Sequence, residues 1–331
     1  VADLRTTVTE LTTGLGMLGL PSLDEALATR PPAMVSMAPA DWNRLAEVRA
    51  GGGFDADFAS AWANGHAFLT ARDGLRGRVP LTVEWKGSHK APGDEVAPVD
   101  LRVDHVFLVS CKYESDILHN AAPSRLFDRL LTGGADSDRR NWFSAVAEDE
   151  HQALYDAVRT AELPSRPEQL STEQRRVLSL GLRAWPSEDA AAAYARLTQA
   201  VAERSAARWR HALTGAGASA AESMLWRLLR IGSAPYFVLG ARKAAGLRIR
   251  VATPWDWRQR YALRRLDVAA QPGGQPRVGW SAVVRDRHSG ADAEVRGHVE
   301  VRWGHGRFSV PEAKVYLDTP HADVPGYFPL A

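Results

Sequence analysis

The hydrophobic period of this chain changes partway along it, and that change limits the folds open to it. Through most of the first 230 residues, apolar positions recur at three- and four-residue steps, whereas beyond Tyr236 they alternate in twos. A 3.6-residue repeat puts side chains on one face of a helix, and a two-residue repeat puts them on one face of a strand. Two strand-like runs interrupt the helical part, near 79–86 and 101–111. The pattern predicts an α+β fold.

After the break Gly51-Gly52-Gly53, the residues Phe54, Phe58, Ala61, Trp62, Gly65, Phe68 and Leu69 predict an amphipathic helix over 54–71. In the strand expected at 79–86, Val79, Leu81, Val83 and Trp85 alternate against Thr82, Glu84 and Lys86. The run 101–111 is more continuously apolar and is expected as one central strand. Residues 1–50 read as helices broken at Pro31-Pro32, with Asp41 as the N-cap of 42–50. A helix is expected from Pro123, and further helices over 148–160, 172–182, 186–213 and 219–229. The runs 278–284, 293–303 and 307–317 predict an antiparallel meander. The expected organisation is a helical segment 1–50, an α/β core 51–135, a helical region 136–230 and a β-rich C-terminal lobe 231–331.

Composition excludes several classes of function. Among 331 residues no run approaches the roughly 20 apolar residues that span a bilayer. The opening Val1-Ala2-Asp3-Leu4-Arg5 does not read as a secretory signal, so a cytoplasmic protein without a membrane partner is expected. Cys111 is the single cysteine, which rules out an internal disulfide and a cysteine zinc site. It lies in the run Val106 to Cys111 and is expected to be buried. The histidines lack the His-Glu-x-x-His spacing, and no glycine-rich segment ends in the lysine and serine of a phosphate loop. Net charge is only +2, yet the stretch 204–265 is rich in arginine. Within it, Trp255-Asp256-Trp257-Arg258-Gln259-Arg260-Tyr261 interleaves aromatics with cations, so Arg258, Arg260 and Arg264 are candidate DNA contacts. Arg296, His298, Glu300 and Arg302 share one face of a later strand and form another candidate surface.

Lysine is scarce, with five residues against 36 arginines, and three of the five fall between 86 and 112. A lysine retained in so arginine-rich a chain points to a role for a compact ammonium. Asp73, Glu84 and Lys86 stand in the run Arg72-Asp73-Gly74-Leu75-Arg76-Gly77-Arg78-Val79-Pro80-Leu81-Thr82-Val83-Glu84-Trp85-Lys86-Gly87. Two acids brought to neighbouring strand ends can hold magnesium and leave sites for water and a phosphate. Lys86, two residues after Glu84 on a strand, shares its face.

This helix, acid and acid-x-lysine order over about 54–130 resembles the PD-(D/E)xK nuclease superfamily, with its restriction-endonuclease-like fold. The resemblance implies that Asp73 and Glu84 are metal ligands for Mg2+ or Mn2+ and that Lys86 is the catalytic lysine. His89 and Lys90 follow directly and are candidate phosphate contacts. A second assignment uses Glu84, Asp104 and Lys112, with Ser110 where an acid would stand and with Asp104 and Ser110 on one strand. Glu312-Ala313-Lys314 repeats the triplet but reads as a surface pair. The expected function is a metal-dependent endonuclease acting on DNA, in restriction or defence against foreign DNA, as a homodimer or with a partner protein. The alternative is a non-catalytic nucleic-acid-binding or scaffold subunit that retains a nuclease-like fold.

Overall fold

The computed structural model describes residues 4–87, 99–113, 117–129, 141–182, 184–232, 234–241, 247–271 and 273–331. Helices in chain order are α1 (Leu4–Gly16), α2 (Leu23–Thr29), α3 (Pro39–Ala50), α4 (Asp55–Thr70), α5 (Trp142–Asp156), α6 (Thr172–Gly181), α7 (Glu188–Leu228) and α8 (Pro254–Arg260). Strands are β1 (Met34–Val35), β2 (Val83–Trp85), β3 (Leu101–Val103), β4 (Phe107–Tyr113), β5 (Ile117–Ala121), β6 (Tyr236–Ala241), β7 (Arg248–Val251), β8 (Tyr261–Gln271), β9 (Arg277–Asp286), β10 (Asp292–Trp303), β11 (Pro311–Leu317) and β12 (Tyr327–Pro329). The fold is α+β. Among the described residues no helix is long and apolar enough to cross a membrane. The chain forms two compact units, each discontinuous in sequence: Val1–Asp116 with Arg230–Arg260 and His321–Ala331, and Ile117–Leu229 with Tyr261–Pro320.

The first unit is a seven-stranded mixed sheet in the order β1-β2-β3-β4-β6-β7-β12. β2, β3 and β4 run antiparallel in turn, and β6 lies parallel to β4. Helices α1 and α4 pack against this sheet and against each other. They cross at Gly16 and Gly65, where a Cβ on Gly65 would stand 2.2 Å from the Thr13 carbonyl oxygen. Only glycine permits that approach. Val83, Leu101, Val103, Val109, Phe237 and Leu239 of the sheet join Leu11, Leu15, Phe58 and Phe68 of the helices in one core. Phe68 meets Phe107 and Phe237 edge-on, with ring centroids 5.8 and 4.9 Å apart. The 54–71 periodicity thus produces α4 and its buried face.

Three local expectations are corrected. The strand expected over 79–86 is only Val83–Trp85. Before it, the Leu81 and Thr82 N–H groups donate to the Asp104 carboxylate (2.7 and 3.0 Å) rather than to a ladder. The expected single strand 101–111 is a hairpin, because Asp104 and His105 take left-handed backbone (φ 49° and 58°) and reverse the chain. Finally, the helix expected from 42 begins at Pro39, so Asp41 sits three residues past the N-cap Ala38 and accepts from its N–H at 2.8 Å.

The second unit is a five-stranded antiparallel sheet, β5-β11-β10-β9-β8. Helix α7 packs on β8 and β9, with α5 against α7. Along α7 the helix breaks at Gly217 (φ 80°), between the two helices expected over 186–213 and 219–229. β8 was not legible as a period-two run because its register shifts between Leu263 and Arg265. On the sheet face away from Val278, Trp280, Val295 and Val299, opposite charges pair: Arg265 with Asp267, Arg277 with Glu300, Arg285 with Asp292 and Arg296 with Glu294. Glu312 and Lys314 also pair there, at 3.7 Å.

His151 on α5 is buried in this unit among Phe143 and Phe308. Its Nδ1 meets the Ser144 hydroxyl at 3.0 Å, and that hydroxyl donates to Glu168. Burial pushes the His151 pKa down to about 4, against the pull of Glu168. The unfolded chain, titrating near 6.5, therefore binds more protons, so stability is full above that pH and falls as pH drops toward 4. A depression of this size corresponds to about 3 kcal/mol. Urea unfolding from pH 7 to 4.5 is expected to show this loss, and His151→Gln should flatten it. An equally steep acid loss in His151→Gln would contradict the assignment.

Candidate functional site

Strand alternation decides which side chains can meet on the first unit's sheet. Val83, Trp85, Leu101, Val103, Val109 and Cys111 turn toward α1 and α4. Glu84, Arg102, Ser110 and Lys112 consequently turn to the opposite face, since directly paired residues share a face. Tyr236 of β6 pairs with Leu108 and with Val251, which pairs with Tyr327, so both tyrosines join that face. The result is a polar row crossing the sheet from β2 to β12.

Glu84 is held by two cations. Lys86 Nζ donates to its Oε1 at 3.2 Å, and Arg102 Nε donates to its Oε2 at 2.7 Å. Burial works against the Glu84 charge, but these partners outweigh it and hold the carboxyl below the usual range. Lys86 itself is buried.

Asp100 is the second acid of the row and was absent from the sequence-derived set. Its backbone lies opposite Lys86, whose N–H donates to the Asp100 carbonyl at 3.0 Å. Its Oδ2 accepts from the Cys111 N–H at 2.6 Å and from the Ser110 hydroxyl at 3.1 Å. That carboxylate takes the ladder bond β3 no longer offers once it has ended. Burial raises the Asp100 pKa, opposed by the Cys111 N–H, Lys112, Ser110 and Arg230. Tyr236, also pushed up by burial, shares hydrogen bonds with Ser110 and Arg230. Among the described residues the row therefore carries two acids, Glu84 and Asp100, against four cations: Lys86, Arg102, Lys112 and Arg230.

The structure brings together Glu84, Lys86 and Lys112 and leaves Asp73 apart. Asp73 follows α4, its N–H donates to the Ala331 carbonyl, and its carboxylate faces Arg250 at 3.8 Å. Arg250 pairs with Phe237 and so lies on the α4 side of the sheet, with three strands between β7 and β2. At about 4.8 Å per strand that separation is roughly 19 Å. Asp73 and Glu84 cannot share an ion in this arrangement. Asp104 caps the turn before β2 and pairs with Arg78 at 3.0 Å, which gives it a structural task. His89 and Lys90 lie outside the described residues.

Arg258 and Arg260 are exposed on α8, and Arg264 is exposed at the β8 bulge. Trp255 is 70% exposed, whereas Trp257 is buried and donates to the Pro325 carbonyl. Within the basic stretch, Arg204 meets Glu150, Arg208 meets Asp128 and Arg210 donates to the Val268 carbonyl. Cys111 lies on the core side, where burial pushes its thiol up.

Mg2+ keeps several waters and is commonly held by one or two carboxylates together with substrate phosphate oxygens. Asp100 Oδ2 is turned toward β4, on the Cys111 N–H and the Ser110 hydroxyl, and the Glu84 carboxylate toward Lys86 and Arg102. They do not suit a tightly held resident ion, because both Glu84 oxygens are engaged by cations. Among the described residues no three histidine, cysteine or acidic side chains cluster as a metal site.

Sequence reasoning missed Asp100, Tyr236 and Arg230. The available signal was Ser110-x-Lys112: once 101–111 is folded as a hairpin, the acid just before the first strand stands opposite Ser110. No protein-family profile, curated protein or solved structure matches this chain.

Asp100→Ala leaves the Cys111 N–H and the Ser110 hydroxyl without their acceptor and should cost about 1–3 kcal/mol in urea unfolding. Asp100→Asn keeps a carbonyl acceptor and should cost less. Equal losses in the two variants would remove Asp100 from its role as the latch between β3 and β4.

Proposed function

We propose that this protein is a Mg2+-dependent phosphodiester hydrolase acting on DNA, built on a restriction-endonuclease-like core. One observation carries the reading: Glu84, Lys86, Asp100, Ser110 and Lys112 share one face across adjacent strands β2, β3 and β4. The order of helix, antiparallel β2-β3-β4 and then parallel β6 suits the nuclease resemblance. In this reading Asp100, and not Asp73, supplies the first acid, Ser110 occupies a position where an acid is expected, and Lys112 is the lysine beside it.

The chain's own residues have distinct tasks. Asp100, with its pKa raised by burial, loses little when its charge is compensated by an arriving cation. Lys112 lies near it, where an ammonium can orient the attacking water and offset charge growing on the phosphate. Lys86 and Arg102 hold Glu84 ionised and in place. When bound, the metal would act as a Lewis acid on the phosphoryl oxygens, with Asp100 and Glu84 as the residues to hold it.

A second reading, a nucleic-acid-binding subunit that does not cut, is favoured by the engagement of both Glu84 oxygens with Lys86 and Arg102. The two readings separate in a cleavage assay on plasmid DNA with Mg2+ or Mn2+. The hydrolase reading predicts that Asp100→Asn and Lys112→Met each lower the rate by about 10²-fold or more, as for loss of a positioned acid or base group. Asp73→Asn should stay near the parent rate. Loss of cutting in Asp73→Asn alone would return the centre to Asp73, and salt-sensitive binding without cutting by the parent would establish the second reading.

Arg258, Arg260 and Arg264 are proposed phosphate contacts. Each neutralised contact changes the slope of log affinity against log salt by about 0.9 on duplex DNA. Replacing all three by Ala should flatten that slope and weaken binding while Glu84→Gln still binds. An unchanged slope in the triple variant would exclude these arginines from the DNA interface.

A further inference from the structure

Arg230 follows the end of α7 and precedes β6, with its backbone in the left-handed region at φ 59°. Only 7% of the residue is exposed. Its Nη1 donates to the Tyr236 hydroxyl at 2.6 Å, and its guanidinium lies 5.2 Å from the centre of that ring. The remaining groups on the other edge, Nε and Nη2, are buried and find no acceptor among the described residues. Buried donors are normally satisfied, and a charged one left unmet is costly. No carboxylate among the described residues stands within ion-pair distance of this guanidinium, although Asp100 is close enough to feel its charge.

The two unmet groups have a specific geometry. Nε–H and the adjacent Nη2–H point the same way and form the side-on fork that matches two oxygens of one phosphoryl group. Tyr236 holds the opposite edge, which fixes the plane of the fork. Tyr327 lies on the same sheet face as Tyr236, and Arg230 acts on the ionisation of both tyrosine hydroxyls. Ser110 links Tyr236 to Asp100. Arg230 therefore borders the part of the row, at β4 and β6, that contains Asp100, Ser110 and Lys112.

We propose that Arg230, held by Tyr236, is a buried seat for a phosphoryl group beside the Asp100 and Lys112 site. The seat rests on the phosphodiester reading for its place in the reaction, but it makes a claim of its own about binding. It takes a tetrahedral oxyanion carried either in a nucleic-acid backbone or at a phosphorylated end.

Inorganic phosphate is the first probe, titrated into the full chain by calorimetry at constant ionic strength without divalent metal. The parent should bind, and Arg230→Lys, which keeps the charge but loses the fork, should bind at least about tenfold more weakly, the scale of one lost charge-assisted bond. Tyr236→Phe keeps Arg230 and frees its plane, and it should weaken phosphate severalfold. Because Tyr236→Phe removes only a hydroxyl, it decides the matter if the Arg230 variant does not fold. No phosphate binding by the parent, or equal binding by the parent and the folded variants, would overturn the seat.

Oligonucleotides with and without a 5′-phosphate identify the source. Competition by inorganic phosphate confined to the phosphorylated strand assigns the seat to an end, and equal competition assigns it to the backbone. Phosphate binding that depends on Arg230 in a protein that never cuts DNA would uphold the seat and sink the hydrolase reading. Cutting with the parent KM and kcat in a folded Arg230→Lys protein that also binds phosphate normally would do the reverse.

Discussion

The arrangement depends on the alternation of side chains across β2, β3, β4 and β6 once one face of their sheet is committed to an apolar core. Val83, Leu101, Val109 and Phe237 fill that face against α1 and α4, which cross closely at Gly16 and Gly65. A one-residue slip of any strand would turn its polar set into that core. The burial of the apolar residues therefore fixes the register, and the register delivers Glu84, Ser110 and Lys112 to the other side. Asp100 enters the same set from just outside β3 because its carboxylate caps the Cys111 N–H.

The two acids of the row are placed in opposite environments. Burial raises the Asp100 pKa, whereas Arg102 and Lys86 hold Glu84 low despite its burial. Two carboxyl groups pushed apart in this way suit different roles, one able to change its ionisation or charge partner and the other kept as a fixed anion. The second unit contrasts with this. Its outward sheet face carries charges paired with one another, as Arg277 with Glu300 and Arg296 with Glu294.

The helices were legible where a continuous stripe sets them, as in α4 and in the long α7. The faces of Glu84 and Lys86 were legible too, because period-two alternation is local and Trp85 marks the inner side. The hairpin at Asp104 and His105 was not, because left-handed backbone at two residues other than glycine leaves little trace in a sequence. That single turn decides which acid stands opposite Ser110: the hairpin puts Asp100 there, whereas a single strand would have carried Asp104 and Ser110 together. Asp73 was chosen for its spacing from Glu84, but spacing along the chain does not reveal that α4 ends on the far side of the sheet. Arg230 and Tyr236 come from more than 100 residues away, and the parallel pairing of β4 with β6 that brings them in is a tertiary event.

Iron-directed backbone cleavage tests the central claim most directly. Fe2+ substituted for Mg2+ in the presence of a DNA oligonucleotide, with added hydrogen peroxide as oxidant and ascorbate to regenerate Fe2+, generates hydroxyl radicals at its own position, and the cut fragments can be mapped by mass spectrometry. The account predicts cuts close to Glu84–Lys86, Asp100 and Ser110–Lys112, suppressed by Asp100→Asn and by excess Mg2+. Cuts concentrated around Asp73 and Arg250, with none near Asp100, would contradict it.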